Sequence, residues 1–190
     1  MTYLTPEQSV IFQQRWTLAA TYRGLIINRT TDIEFSMEMI ISHFFCSDAE
    51  KANEIRHRLI CDGTMLTFES KLKLFRQIIH IHFKDFKTKY PNLVDDIQKL
   101  QKIRNIVCHR KILTTDESLS SFDGDNIYFE NFEVVKDNSS ERHQIKQVTE
   151  PVNKSVVNEY AKVASSIVPL LEELLLIVRP PSDASGKGSK

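Results

Sequence analysis

Glycine and proline are scarce in this chain, 5 and 6 in 190 residues. That scarcity excludes collagen-like and linker-like sequences and leaves room for long uninterrupted helices. Gly24, Gly63 and Gly124 lie far apart, so no clustered-glycine loop is present to cradle a nucleotide phosphate. Cysteine is also rare. Cys46, Cys61 and Cys108 make an odd number without framework spacing, which argues against a disulfide scaffold and for free thiols in a reducing, cytoplasmic compartment. Neither sign of charge is in excess, with 25 Lys and Arg against 25 Asp and Glu. Nucleic-acid binding would therefore rest on a local basic patch rather than on global attraction. A long hydrophobic run is missing too. The most apolar segment, residues 167–178, is interrupted by Pro169, Glu172 and Glu173 and is too short to cross a bilayer, so no membrane partner is expected. The opening Met1-Thr2-Tyr3-Leu4-Thr5-Pro6 carries neither the basic nor the apolar region of a signal peptide.

Two further absences narrow the chemistry. Gly-x-Ser-x-Gly and a recognisable cysteine-protease context are both lacking, which disfavours triad hydrolysis. Histidine and cysteine do fall near one another as His43 with Cys46, His57 with Cys61, and His80 with His82. Their spacings are unmatched and lack the paired short-range ligands of structural zinc sites, so no metal and no other cofactor is expected.

What is present is helical patterning. With 41% hydrophobic residues the chain can bury a full core without staples, and its length fits one domain over 1–179. Thr5-Pro6-Glu7-Gln8 reads as a capped helix start, followed by Ile11, Leu18, Tyr22 and Leu25 on one face. Thr31-Asp32-Ile33-Glu34 repeats the capping pattern and predicts a second helix, with Ile33, Met37, Ile40, Ile41 and Phe44 facing inward. The polar residues 47–58 are compatible with a helix ended by Asp62-Gly63. Thr67 precedes a third pattern, Phe68, Leu72, Phe75, Ile79 and Phe83. Tyr90-Pro91 breaks the chain before a further amphipathic helix.

Beyond Leu113 the period changes. Residues 127–135 read as a strand after the Asp123-Gly124 turn, and residues 143–148 as its return after a turn at Asp137-Asn138-Ser139-Ser140. The β insertion spans about 119–149. From Pro151 to Val178 the 3.6-residue period returns with Val152, Val156, Val163, Ile167, Leu170, Leu174 and Ile177. This helix is apolar over a wide arc and is expected to be buried or to dock another subunit. The Ser-, Gly- and Pro-rich residues 180–190 read as a disordered tail. The expected fold class is mainly α, a bundle of four to five major helices with a small β-hairpin or meander inserted before the last.

The chemistry-bearing stretch is Arg104-Asn105-Ile106-Val107-Cys108-His109. The apolar positions Leu93, Ile97, Leu100, Ile103 and Val107 recur at three- and four-residue spacing. At about 100° per residue, Arg104 falls near the middle of that stripe. A guanidinium keeps its charge, so burying it unpaired costs several kcal/mol and demands a partner, a substrate or a second subunit. Asn105 and His109, four apart, share a neighbouring face. Lys99, Lys102, Arg110 and Lys111 surround the motif and would track phosphates, or form a solvated charged face. Glu34 is a candidate support for Arg104, or simply a member of its capping box. Read without further context, Arg104 is equally a core arginine bridging to a carboxylate, with His109 satisfied by a backbone carbonyl.

Residues 103–109 resemble the signature of the HEPN superfamily, an Arg followed after four to six residues by His, commonly with Asn after the Arg. The surroundings are similar as well: Asp32-Ile33-Glu34 and Ile40-Ile41-Ser42-His43-Phe44-Phe45 in an early helix, then Thr67-Phe68-Glu69-Ser70-Lys71 opening the next. The resemblance covers roughly residues 6 to 178. It implies a homodimeric helical bundle whose two Arg-His motifs face each other, and a metal-independent endoribonuclease of a toxin or anti-phage defence system. Other members bind nucleic acid or nucleotides without cutting. Carried over, Arg104 and His109 would be the catalytic pair with Asn105 in support; beside them the basic cluster of Arg110, Lys111 and Lys102 would contact the substrate, and Glu34 would hold the Arg104 guanidinium if their helices touch. RNA is the implied partner, with a cognate antitoxin or defence-system protein as another. Some toxin members carry Tyr two residues after the His, where this chain has Lys111. The remaining alternatives are a non-catalytic RNA- or protein-binding module of the same fold and a structural helical protein with Arg104 in an internal salt bridge.

Overall fold

Residues 5–61, 66–136, 143–148 and 151–179 are described by a computed structural model, with side chains described except at 116, 117 and 131–148. The tail at 180–190, the Asp137-Asn138-Ser139-Ser140 turn, the Asp62-Gly63 break and the first four residues lie outside the described residues. The described chain is mainly helical: α1 Pro6–Phe45, α2 Ala49–Ile55, α3 Phe68–His82, α4 Lys84–Lys89, α5 Leu93–His109, α6 Asp116–Ser120 and α7 Lys154–Val178. Between α6 and α7 lie β1 Ile127–Tyr128, β2 Asn131–Lys136, β3 His143–Val148 and β4 Pro151–Val152.

The first correction concerns α1, which is one helix of 40 residues rather than two. Thr31-Asp32-Ile33-Glu34 carries a start signal but nothing before it stops the preceding helix. The buried positions Tyr22, Ile26, Thr30, Ile33, Met37 and Ile40 run at steps of four and three across the expected boundary, so the inward face never loses phase. The same register places Ile26 inside and Leu25 out, 49% exposed.

The chain divides into two compact units, residues 1–29 with 100–162 and residues 30–99 with 163–190. In the first, the core draws on Ala19, Tyr22 and Ile26, Leu100 and Val107, Leu119, Ile127 and Phe129, and Val157 and Tyr160. The β insertion is a nested antiparallel ladder: β1 pairs with β4 in the register Ile127↔Val152, and β2 with β3 from Asn131↔Val148 to Lys136↔His143. The expected strand at 127–135 is thus divided, and the interruption has a cause. Phe129 bridges Ile112, the Leu113 N–H donates to the Tyr128 carbonyl (2.8 Å), and the Glu130 N–H donates to the Lys111 carbonyl (2.8 Å). The segment leaving α5 is thereby fastened to the insertion. Val152 belongs to β4, not to the last helix as the pattern suggested. The α7 start is instead set by Asn153, whose Oδ1 accepts from the Val156 N–H at 3.0 Å.

A tight turn precedes β1. The Asp123 carboxylate accepts from the Asp125 and Asn126 N–H groups, which holds its pKa down at about 2. Gly124 follows at φ +89°, a left-handed conformation that glycine adopts without Cβ strain. Asp125 then accepts from the buried Tyr22 hydroxyl at 2.6 Å and from the Lys154 N–H at 3.0 Å.

The second unit centres on Ile33, Met37, Ile40 and Ile41 of α1, on Leu72, Phe75, Ile78 and Ile79 of α3, and on Leu93, Ile97, Ile167, Leu171 and Leu174. Asp48 caps α2 through the Glu50 and Lys51 N–H groups, and Thr67 caps α3 through the Ser70 N–H. After Ile55 the chain continues through Arg56–Ile60 as a wider turn, closed by an i→i+5 bond from the Cys61 N–H to the Arg56 carbonyl at 2.7 Å. That turn delivers Arg56 and Cys61 to a buried polar cluster. Lys71, 2% exposed, donates to both Glu34 and Glu38 at 2.6 Å. The Cys61 thiol donates to Glu38 at 2.9 Å, and Arg56 Nη1 approaches Cys61 Sγ at 3.1 Å. Burial, then the bond to Glu38, pushes the Cys61 thiol pKa up. Two carboxylates thus balance two cations at a depth where an unpaired charge would be costly.

Candidate active site

The Arg-Asn-His motif occupies the last turn of α5, in the first unit. Leu93, Ile97, Leu100 and Val107 are buried along one side of the helix, and Arg104 falls on the same row. Its burial is only partial, which corrects the expectation of a fully buried cation. The side chain is long enough for its head to leave the row and reach the helix end. There Nη1 donates to Asn105 Oδ1 at 3.1 Å and stands 3.4 Å from His109 Nε2. Asn105 and His109 are exposed. A guanidinium only donates, so the His109 Nε2 facing it presents a lone pair and the ring proton belongs on Nδ1. The three polar groups form one cluster at the surface, with the basic nitrogen of the ring beside a permanent cation.

The expected substrate contacts Lys102, Arg110 and Lys111 are all exposed. Lys99, also exposed, is taken up by Asp96 at 2.8 Å. Glu34 lies in the second unit and spends its carboxylate on Lys71 at 2.6 Å.

One residue escaped the sequence reading. Arg23 of α1 donates from Nε to the Val107 carbonyl and from Nη2 to the Arg110 carbonyl, both at 2.7 Å. These are two of the carbonyls that a helix end leaves without intrahelical partners. The guanidinium also lies over the buried Phe129 ring at 5.2 Å. Arg23 therefore fixes the turn that carries His109, and it adds a second cation to that turn. The half-buried Cys108 between them registers both charges: burial pushes its thiol pKa up, while Arg104 and Arg23 oppose the shift. The only signal in the sequence was an arginine flanked by inward-facing Tyr22 and Ile26.

Among the described residues no three His, Cys, Asp or Glu side chains stand close enough to hold a metal ion. No described helix is long and apolar enough to cross a membrane, and Cys46, Cys61 and Cys108 are all free thiols. No protein-family model matches the chain, and neither a curated protein nor a solved structure matches it.

Proposed function

We propose that this chain is a metal-independent endoribonuclease of the HEPN type, serving a toxin or anti-phage defence system in the cytoplasm and acting as a homodimer. The observation that carries the reading is the exposed cluster in which Arg104 Nη1 stands 3.4 Å from His109 Nε2 and 3.1 Å from Asn105 Oδ1. A base, a fixed positive charge and an orienting amide are what RNA needs to cleave itself. The 2′-hydroxyl attacks the adjacent phosphorus, His109 Nε2 turns from Arg104 to accept the hydroxyl proton, and the Arg104 guanidinium so released stabilises the charge gathering on the phosphate oxygens. The P–O5′ bond breaks, and the leaving oxygen takes a proton from a second histidine. Two-fold symmetry would supply that histidine as the other copy's His109. The products are a 2′,3′-cyclic phosphate and a 5′-hydroxyl end. Lys102, Arg110 and Lys111 would hold the strand by its backbone.

The reading is tested by incubating purified protein with mixed RNA in EDTA. Cleavage that disappears in both Arg104→Ala and His109→Ala, with circular dichroism unchanged, supports it. Intact RNA at high protein concentration rejects it and leaves a non-catalytic RNA- or protein-binding module of the same fold, and activity that survives both substitutions rejects Arg104 and His109 as the site.

A further inference from the structure

Away from the Arg-His cluster, the second unit holds a cavity of about 540 Å³ formed by the C-terminal half of α3, α4 and the start of α5. That volume lies within the range of small-molecule sites, roughly 300–1,000 Å³. Its walls differ in character. Among its lining residues, Lys87 Nζ and His80 Nδ1 stand 2.8 Å apart. An ammonium only donates, so Nδ1 is the acceptor, and the exposed Lys87 has two further protons to offer a ligand. No ion pair with a described carboxylate engages either residue, whereas Lys71, Lys73, Lys89 and Lys99 of this unit are each paired.

One helical turn from His80, Arg76 lines the same cavity. Its Nη2 donates to Gln98 Oε1 at 2.8 Å and lies 3.8 Å from Asp95 Oδ1, too far for a hydrogen bond. The Gln98 amide nitrogen and the Asp95 carboxylate belong to the same lining, one a donor and the other an acceptor. Tyr90, Pro91 and Leu93 also line the cavity. The Tyr90 hydroxyl is committed to Glu173 at 2.6 Å, so its remaining contribution to the cavity is the ring.

We infer that this cavity binds a small phosphomonoester bearing hydroxyl groups, its phosphate held by Lys87 and His80 and its hydroxyls by Asp95 and Gln98, which Arg76 holds in place. A dianionic phosphate would take the place of water at the exposed Lys87 ammonium, in charge-assisted bonds. The Asp95 carboxylate repels phosphate and accepts from hydroxyls, so it fixes which way the ligand enters. A sugar phosphate and a nucleoside monophosphate share this chemistry. The site is separate from the proposed ribonuclease cluster, and Arg104→Ala protein is expected to bind the ligand as the unaltered chain does.

Titration calorimetry of the whole chain with ribose 5-phosphate, adenosine 5′-monophosphate, ribose and inorganic phosphate tests the inference. Binding of at least one ester with Kd of about 1 mM or tighter is expected, with ribose inert and inorganic phosphate weaker. Which ester binds identifies the source. Lys87→Gln should weaken binding roughly tenfold by removing a charged hydrogen bond, while Lys84→Gln, outside the cavity, should not. Circular dichroism of both variants should match the parent. Silence from both esters overturns the inference. So does inorganic phosphate binding as tightly as they do, or equal losses in the two lysine variants, since each would describe a diffuse basic surface. Binding of an unphosphorylated oligoribonucleotide in place of the esters would likewise overturn it, as a strand groove.

Discussion

Arg104 shows why a residue's place on a helical wheel does not fix its burial. Leu100, Arg104 and Val107 share one row, yet only the two apolar members are buried. The guanidinium emerges at the helix end beside His109. Arg23 is the complementary case, a half-buried arginine whose two 2.7 Å bonds end on carbonyls of the same turn. Replacing Arg23 by alanine leaves those carbonyls without their donor. The expected loss is about 1–3 kcal/mol of stability, measured by urea unfolding. Cleavage by the variant should fall as well, because the turn that holds His109 loosens. A variant as stable as the parent would mean that water replaces the guanidinium at no cost. Tyr22 offers a pH-dependent test. Burial, then the bond to Asp125, raises its phenol from the ordinary value near 10 to about 12. A raised acid favours the neutral form in the folded state, so the stabilisation is whole below pH 10 and is lost as pH rises through 12. Spectrophotometric titration should show a late-ionising component, and Tyr22→Phe should diminish it by one tyrosine. If that variant leaves the late component undiminished, the assignment is wrong.

At the scale of elements, the helices on either side of Tyr90-Pro91 were readable because caps, breaks and apolar spacing agree. Thr67 caps α3, and α5 runs from Leu93 to His109. The return strand at 143–148 matches its pattern as well. The Arg-Asn-His cluster was legible for the same reason, being local to one helical turn. What escaped depended on long-range pairing. Ile112 and Lys111 interrupt the strand at Phe129 and Glu130, and β1 draws Val152 out of the last helix. Arg23 is 84 residues from the carbonyl of Val107 that it caps, and no local pattern reports such a contact. The α1 boundary failed differently: a start signal at Thr31 was read without a stop signal before it. Because α1 is continuous, Gly24 lies in a helix interior, and a Cβ added there meets nothing within 4 Å. Gly24→Ala should then stabilise the protein by about 1 kcal/mol, read as a rise in Tm. No change, or a fall, would indicate that the chain bends at this point.

For the whole molecule, zero formal charge gives no broad attraction to RNA. The proposed activity rests on the exposed Lys102, Arg110 and Lys111 beside the Arg-His cluster. The wide apolar arc of α7 ends in Leu176 and Ile177, 77% and 55% exposed, which leaves apolar surface for a second copy. Dimerisation is the step that would supply the second histidine, and light scattering at micromolar concentration should return twice the 22.0 kDa of one chain. A monomeric mass would remove the proposed proton donor. The most direct measurement is cleavage of a defined RNA in EDTA beside the same RNA carrying 2′-deoxyribose at the cleaved position. The account predicts products ending in 2′,3′-cyclic phosphate and 5′-hydroxyl, none from the deoxy substrate, and none with His109→Ala. Cleavage of the deoxy substrate, cleavage by His109→Ala, or no cleavage by the unaltered protein would contradict it.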